Sequence, residues 1–422
     1  MSPTLNRRRF MQGTAAIGGI SLAGLAGCIG DDDGEVVDPD ISPDDYEPML
    51  GILQPESGDL GDLGTPIADA AELPAILIER DTDWNVDVQR EDSETVPEAG
   101  ISAAESLVAG GYPMMTGAAA SNVSLPIAED VAGPNEMVMC SPASTSPDLT
   151  TANDNGFFFR TAPSDALQGA VMAEIAFEDR GWETASTLHL NDPYGQALSD
   201  VFVDTYEELG GEIFEAEAFE PEQPSYVSAL ESVLADEPDF LMLVAFPVSG
   251  VQIFRDFYSG WDDDYPVMIT DGLIESGLPD DVDNPMNNVM GTAPAAEGPE
   301  ADAFAQFYEE EYGTGPGVFN AHAFDASSVL LLANLRAGEN TGATIRDMMF
   351  DIANPNGGDT FGPSSLDEAV EVASSGEPLT YEGASSIVEF DDEGDMTAVS
   401  YDVYEFGDWE INVVDTLDFE AE

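Results

Sequence analysis

Lysine is absent from the 422 residues: all ten basic side chains are arginine, set against 85 Asp and Glu, for a formal net charge of −75 at pH 7. A phosphate backbone or an anionic headgroup is gripped by a basic stripe, which this surface cannot form, so nucleic acid is excluded as a partner. At ordinary ionic strength such a surface repels itself. In molar salt the Debye length shrinks to about 3 Å and the repulsion is screened. The composition therefore predicts a salt-adapted protein whose acidic runs are solvated faces rather than sites.

Histidine and cysteine are nearly as scarce, with two of each. His189 lies in a strand pattern and His322 in a helix pattern, and no His/Cys cluster has metal-binding spacing. There is no G-x-S-x-G elbow and no G-x-G-x-x-G opening a helix. No enzyme, cofactor or metal is expected. The cysteines are Cys28 and Cys140. Long apolar runs are missing too, and the stretch that ends near residue 27 is too short to span a bilayer core of about 30 Å.

What is present begins with "NRRRFMQ", where Arg7 and Arg8 precede Phe10 and Met11. This resembles a twin-arginine export motif, and the Gly- and Ala-rich stretch after it ends in "LAGC", similar to a lipobox. Residues 1–27 are predicted to be a lipoprotein signal peptide, Cys28 the lipidated residue, and the acidic, Pro-punctuated residues 28–47 a tether. The expected location is the extracellular side of the cytoplasmic membrane, held by lipid alone. Cys140 then has no disulfide partner and reads as a small buried hydrophobe at a strand end.

From "MLGILQP" onward, β-rich apolar runs alternate with helix-length amphipathic stretches, the pattern of parallel sheets with helices on both faces. The chain length and 43% apolar content suit two domains with real cores. The closing "SSIVEFDDEGDMTAVSYDVYEFGDWEINVV" reads as a hairpin with "DDEGD" as its turn.

In open α/β sheets ligands bind beyond the carboxyl ends of the strands. Those ends carry small and hydroxyl residues: "AAASNVS", "CSPASTSPDL", "NDPYG", "AFPVSG" and "DG". Small residues let a ligand approach the backbone, hydroxyls and amides suit a carboxylate, and Asp271 puts a negative charge on another rim. The combination fits a zwitterion. Each segment alone could be a turn or a helix cap; their recurrence at successive strand ends favours a binding site.

Taken in order, "MLGILQPESGDLGDLG", "SPASTSPDL", "FFFRTAPSD", "LNDPYGQ" and "YEGASSIVEFDDEGD" resemble the leucine/isoleucine/valine-type solute-binding proteins of ABC transporters, over residues 48–414. The resemblance implies a clamshell of two doubly wound α/β lobes with three hinge crossings: residues 48–161 plus 291–383 as lobe 1, and 162–290 plus 384–422 as lobe 2. It implies that Ser121 binds the carboxylate of an amino acid and that Ala143, through its backbone, and Thr145 hold both ends of the zwitterion. Asp271 would take the ammonium group, where that family more often has Glu. Tyr194 and Phe246 would close the cleft, with Leu63, Ala119 and Ala120 lining the side-chain pocket. The implied partners are ABC permease subunits, the implied state a monomer. A sensory lipoprotein and an amide- or urea-binding relative are the alternatives.

Overall fold

The structure is a computed structural model, which describes residues 41–420. Arg7, Arg8, Cys28 and most of the expected tether lie outside the described residues.

Strands β1 (Met49–Gln54), β2 (Asp87–Asp92), β3 (Met114–Gly117), β4 (Val138–Ser141) and β5 (Phe158–Arg160) form a parallel sheet in the order β2-β1-β3-β4-β5. Helices α1 (Gly61–Asp81), α2 (Pro97–Gly110) and α3 (Ser121–Ile127) link the first four strands. The chain then passes into a second half. There α4 (Asp165–Glu174) leads to β6 (Thr184–Leu190), α5 (Pro193–Leu209), β7 (Glu212–Phe219), α6 (Val227–Val233), β8 (Phe240–Val244), α7 (Pro247–Gly260), β9 (Val267–Ile269), α8 (Leu278–Val282) and β10 (Val289–Pro294). It returns to the first half through α9 (Ala301–Tyr312), α10 (Asn320–Ala337), α11 (Gly342–Ala353), β11 (Asp359–Phe361), α12 (Leu366–Ser374) and β12 (Leu379–Tyr381). Last come β13 (Ala398–Gly407) and β14 (Glu410–Glu420), which join the second sheet in the order β14-β13-β10-β9-β8-β6-β7. Its neighbours from β10 to β7 are parallel, whereas β13 and β14 pair antiparallel.

Burial explains the patterns. β8, "FLMLV", is buried at every residue, as expected of a central parallel strand covered on both faces. The edge strands β2 and β7 keep charged, partly exposed side chains that discourage further pairing. α10 is buried along almost its whole length because α1, α11 and α12 surround it.

Two sequence expectations change. β10 belongs to the second sheet through Pro294, so the second crossing follows Pro294 rather than residue 291. And "DDEGD" does not turn the closing hairpin: that turn is Asp408–Trp409, both with positive φ, between β13 and β14. Phe390 and Met396 flank "DDEGD" in a lone antiparallel bridge, and its last residue has another task.

That residue, Asp395, accepts from Arg160 Nε (2.6 Å) and Nη2 (2.7 Å), while Arg160 Nη1 donates to the carbonyls of Ser144 (3.3 Å) and Ser146 (2.9 Å). Arg160 is fully buried at the first crossing, so this forked pair ties β5, the "SPASTSPDL" loop and the third crossing together. Breaking a buried pair from one side costs about 3–5 kcal/mol. Asp325 of α10 fixes the same crossing further along. Its carboxylate accepts from Tyr381 Oη (2.8 Å) and from the N–H groups of Ala384 (2.9 Å) and Ser385 (2.7 Å). A side chain at Gly383 would collide with that carboxylate, which accounts for the glycine in "YEGASS".

Candidate ligand-binding site

The loop after β1 enters the space between the halves because its acceptors are local. Asp92, at the end of β2, accepts from the N–H of Glu56 (2.9 Å) and Ser57 (3.3 Å), and Thr95 Oγ1 accepts from the N–H of Leu60 (3.1 Å). Gly64 lets α1 pass against the Pro55 carbonyl, where a Cβ would sit 1.9 Å from the oxygen. Leu60 and Leu63 thereby face the cleft.

The loops after β3 and β4 are knitted by serines. Ser141 Oγ donates to the Ala118 carbonyl (2.6 Å), Ser144 Oγ reaches the carbonyls of Ala118 (3.0 Å) and Ala119 (2.8 Å), and Ser121 Oγ accepts from the N–H of Ser146 (3.3 Å). Most hydroxyls of "SPASTSPDL" therefore shape the loop and are not directed at a ligand. Cys140 is fully buried in β4 and burial pushes its thiol up, as for an inert side chain.

In the second half, Tyr194 opens α5 and Phe246 precedes α7, their rings parallel with centroids 5.5 Å apart. The Tyr194 hydroxyl shares a hydrogen bond with Thr270 Oγ1 (2.8 Å) and donates to Asp271 Oδ1 (3.1 Å). Gly272 is required at this corner, since a Cβ there would meet the Ala245 carbonyl at 2.8 Å.

These loops close a narrow cavity of about 20 Å³ lined from the first half by Leu63, Ala119, Ala120, Ser121 and Ala143, and from the second by Tyr194, Phe246 and Asp271. Eight of the nine ligand residues expected from sequence thus meet around one slot. Thr145 stands behind it: its Oγ1 donates to Asp165 Oδ2 (2.8 Å) and its carbonyl accepts from the Asp165 N–H (2.8 Å). The slot also has walls that sequence reading missed, Leu60, Ile67, Gly272 and Phe319. Its volume holds roughly one water, so an amino acid enters only as the walls part.

Asp165 was missed as well. It is the first residue of α4, fully buried, with Oδ1 unpartnered, and it lies close enough to Asp271 for the two charges to interact. Burial lifts the Asp271 carboxyl to about 6, and burial together with the neighbouring Asp271 charge holds Asp165 well above the usual carboxylate range. The pair suits one negative charge rather than two, and a cation placed between them would restore the second. The signal for Asp165 was in the sequence, an acid that closes "FFFRTAPSD" at a crossing between sheets.

A separate contact bridges the halves at the rim. Asp59, buried in the loop after β1, accepts from Ser249 N–H (2.8 Å) and Ser249 Oγ (2.9 Å) at the start of α7. The carboxylate complements that helix end. Hydrogen bonds to a charged group contribute about 1.5–3 kcal/mol each, so Asp59→Ala is expected to favour the parted form. Small-angle scattering of the ligand-free protein checks this through a larger radius of gyration; an unchanged radius would count against the latch.

Residues 49–365 match the family model described as "Periplasmic binding protein". The chain belongs to that family. Among the relatives of this periplasmic binding protein is the chemotactic signal transduction system substrate-binding protein BasB of Halobacterium salinarum, 23% identical over 71% of each chain. Another is Leu/Ile/Val-binding protein homolog 3 of Brucella melitensis, 28% identical over 36% of this chain and 42% of its own length. Among solved structures, the leucine-binding protein LivK of Thermotoga maritima superposes with a TM-score of 0.74 at 23% identity, covering 88% of this chain and 98% of its own. The fold is thus the two-sheet α/β architecture of these proteins. Relatives and structural neighbours are binding proteins, and this chain is a binding protein rather than an enzyme. Membership implies an extracellular or periplasmic location. Among the described residues no helix is long and apolar enough to cross a membrane, and no group of three or more His, Cys, Asp or Glu could hold a metal ion.

Proposed function

We propose that this periplasmic binding protein captures an α-amino acid with an apolar side chain and delivers it, as a monomer anchored through lipid on Cys28, to the subunits of an ABC permease. One observation carries the reading: the buried Asp271 lines a slot whose other walls are mostly apolar and include the Ser121 hydroxyl, and a second buried acid, Asp165, lies behind it on Thr145 within reach of the Asp271 charge. An ammonium group supplies the cation that the acids need, Ser121 and the Ala143 backbone take the carboxylate, and Leu63, Ala119 and Ala120 meet the side chain. Tyr194, Phe246 and Asp271 engage the ligand from the second half, so binding favours the closed form by the free energy of those contacts.

A sensory role is the second reading, favoured by the similarity to BasB over most of the chain. Both roles use closure as the signal and share the same ligand chemistry.

A thermal-shift screen of amino acids, short amides and urea in multimolar KCl tests the ligand class. A ligand at a hundred times its Kd stabilises by about 2.7 kcal/mol, a rise of several degrees. Amino acids are expected to produce it. A rise with urea or amides alone would transfer the assignment to that class, and no rise with any amino acid would end this reading.

A further inference from the structure

The slot is not the largest space between the halves. A chamber of about 480 Å³ lies next to it, walled by Ile274 and Pro294 from the second half, Phe304 and Ala305 from α9, and His322 from α10. Binding pockets for small molecules commonly run from about 300 to 1,000 Å³; the chamber falls in that range and the slot far below it.

Phe319 lines both spaces and is their common wall. It is 4% exposed, yet it is carried by the glycine-rich segment "GTGPGVFN", whose residues 313–317 are exposed. Side chains added at Gly315 or Gly317 would meet nothing within 4 Å, so little packing holds the segment in place. Phe319 itself has φ +65°, a left-handed conformation that costs a bulky residue roughly 1–2 kcal/mol. Phe319 also caps α10, its carbonyl accepting from the Ala323 N–H (2.9 Å), so the backbone is held on the helix side and the strained side chain, with the loosely packed segment before it, is the part that can swing.

The chamber beyond has an aromatic character of its own: the rings of Phe304, Phe319, His322 and Tyr404 all line it, with Phe319 and His322 edge-to-face at 5.8 Å. The carboxylates of Asp302 and Asp402 offer acceptors in the same wall. Burial keeps the His322 imidazole neutral, its pKa lowered to about 3, so it too has an acceptor nitrogen.

From this we infer that Phe319 is a gate and that the preferred ligand is an aromatic α-amino acid, whose ring passes Phe319 into the second chamber while its ammonium and carboxylate stay in the slot. This rests on the amino-acid reading above. A ring there gains edge-to-face contacts, and an indole N–H finds the chamber's acceptors.

Calorimetry in multimolar KCl with tryptophan and valine tests it, on the full chain and on Ala305→Phe, which narrows the chamber and leaves the slot walls alone. The wild type is expected to bind tryptophan at least tenfold more tightly than valine. Ala305→Phe is expected to remove that preference while valine affinity stays within threefold, which also reports an intact fold. Should Ala305→Phe fail to fold, Phe319→Ala serves: opening the gate permanently is expected to weaken valine binding several-fold and leave tryptophan at least as tight. Valine binding as tight as tryptophan in the wild type, a tryptophan preference that survives Ala305→Phe, or tryptophan binding that Phe319→Ala weakens as much as valine binding, overturns the gate and leaves the amino-acid reading standing. Binding of neither overturns both.

Discussion

Asp271→Ala is expected to weaken amino-acid binding by between about 30- and 4,000-fold, with the far-UV circular dichroism spectrum unchanged. The range follows from the 2–5 kcal/mol typically lost when one partner of a buried charge pair is truncated, at 1.4 kcal/mol per decade. The fold is spared because Asp271 serves no architectural bond comparable to those of Asp325 or Asp395. Its carboxylate accepts from the side chains of Gln168 and Tyr194 and lines the slot. In the ligand-free protein its raised pKa marks a group that burial disfavours when ionised. Stability from this group is fully present below the unfolded value of 3.8 and is lost as pH rises through about 6. An ammonium ligand inverts the preference, since it binds the ionised carboxylate. Affinity is therefore expected to fall toward tenfold per pH unit below about pH 6, and Asp271→Asn should flatten that slope. Wild-type affinity in Asp271→Ala, or a slope that persists in Asp271→Asn, would show that the ammonium lies elsewhere.

The residues legible in the sequence share one property: they sit just past a strand. Period-two and period-3.6 patterns place strand ends well, and the segments that carry Ser121, Ala143, Tyr194, Phe246 and Asp271 follow from position, while the roles of the individual residues come from the resemblance to Leu/Ile/Val-type binding proteins. Phe319, which lines the slot, and Asp165, which lies behind it, escaped because each sits at a helix start, where position along the chain says nothing of position in space. Thr145 shows the reverse failure. It has the right residue type at the right strand end, yet a buried carboxyl from the other half takes its hydroxyl. The hairpin turn was misplaced because "DDEGD" does form a turn, but one held for Asp395 to meet Arg160, a pairing across 235 residues that no local pattern encodes. The acid pair went unread for a related reason: Asp165 and Asp271 belong to the same half but to elements far apart in the chain, and only the folding of that half brings them together.

Dilution from 3 M to 0.1 M KCl is expected to unfold the protein at room temperature. Most arginines of the described residues are already matched to acids. Among the described residues Arg80, Arg180, Arg336 and Arg346 each pair with an acid, Arg160 is buried on Asp395, and Arg90 is shared by Glu56, Asp69 and Glu72. Arg255 donates to the Asp281 carbonyl. Ten arginines cannot neutralise 85 acids, and the balance of the charge is left to solvent cations. Two like charges about 8 Å apart in water repel by roughly 0.5 kcal/mol before screening. A Debye length of about 10 Å at 0.1 M leaves nearly half of that, and one of about 3 Å at 1 M leaves under a tenth. With on the order of a hundred such pairs, the low-salt repulsion reaches ~20 kcal/mol, beyond the 5–15 kcal/mol that holds a typical domain folded. The unfolded chain is repelled too, but its charges are further apart. Screening and preferential hydration make different demands on the cosolute, so the comparison that decides is sucrose at matched osmolality in 0.1 M KCl. Sucrose favours burial without screening charge and is expected not to restore the circular dichroism signal, whereas a much lower concentration of a divalent cation is. A native spectrum in 0.1 M KCl would mean that the fold does not depend on salt, and full rescue by sucrose would mean that screening of the acidic surface is not the cause.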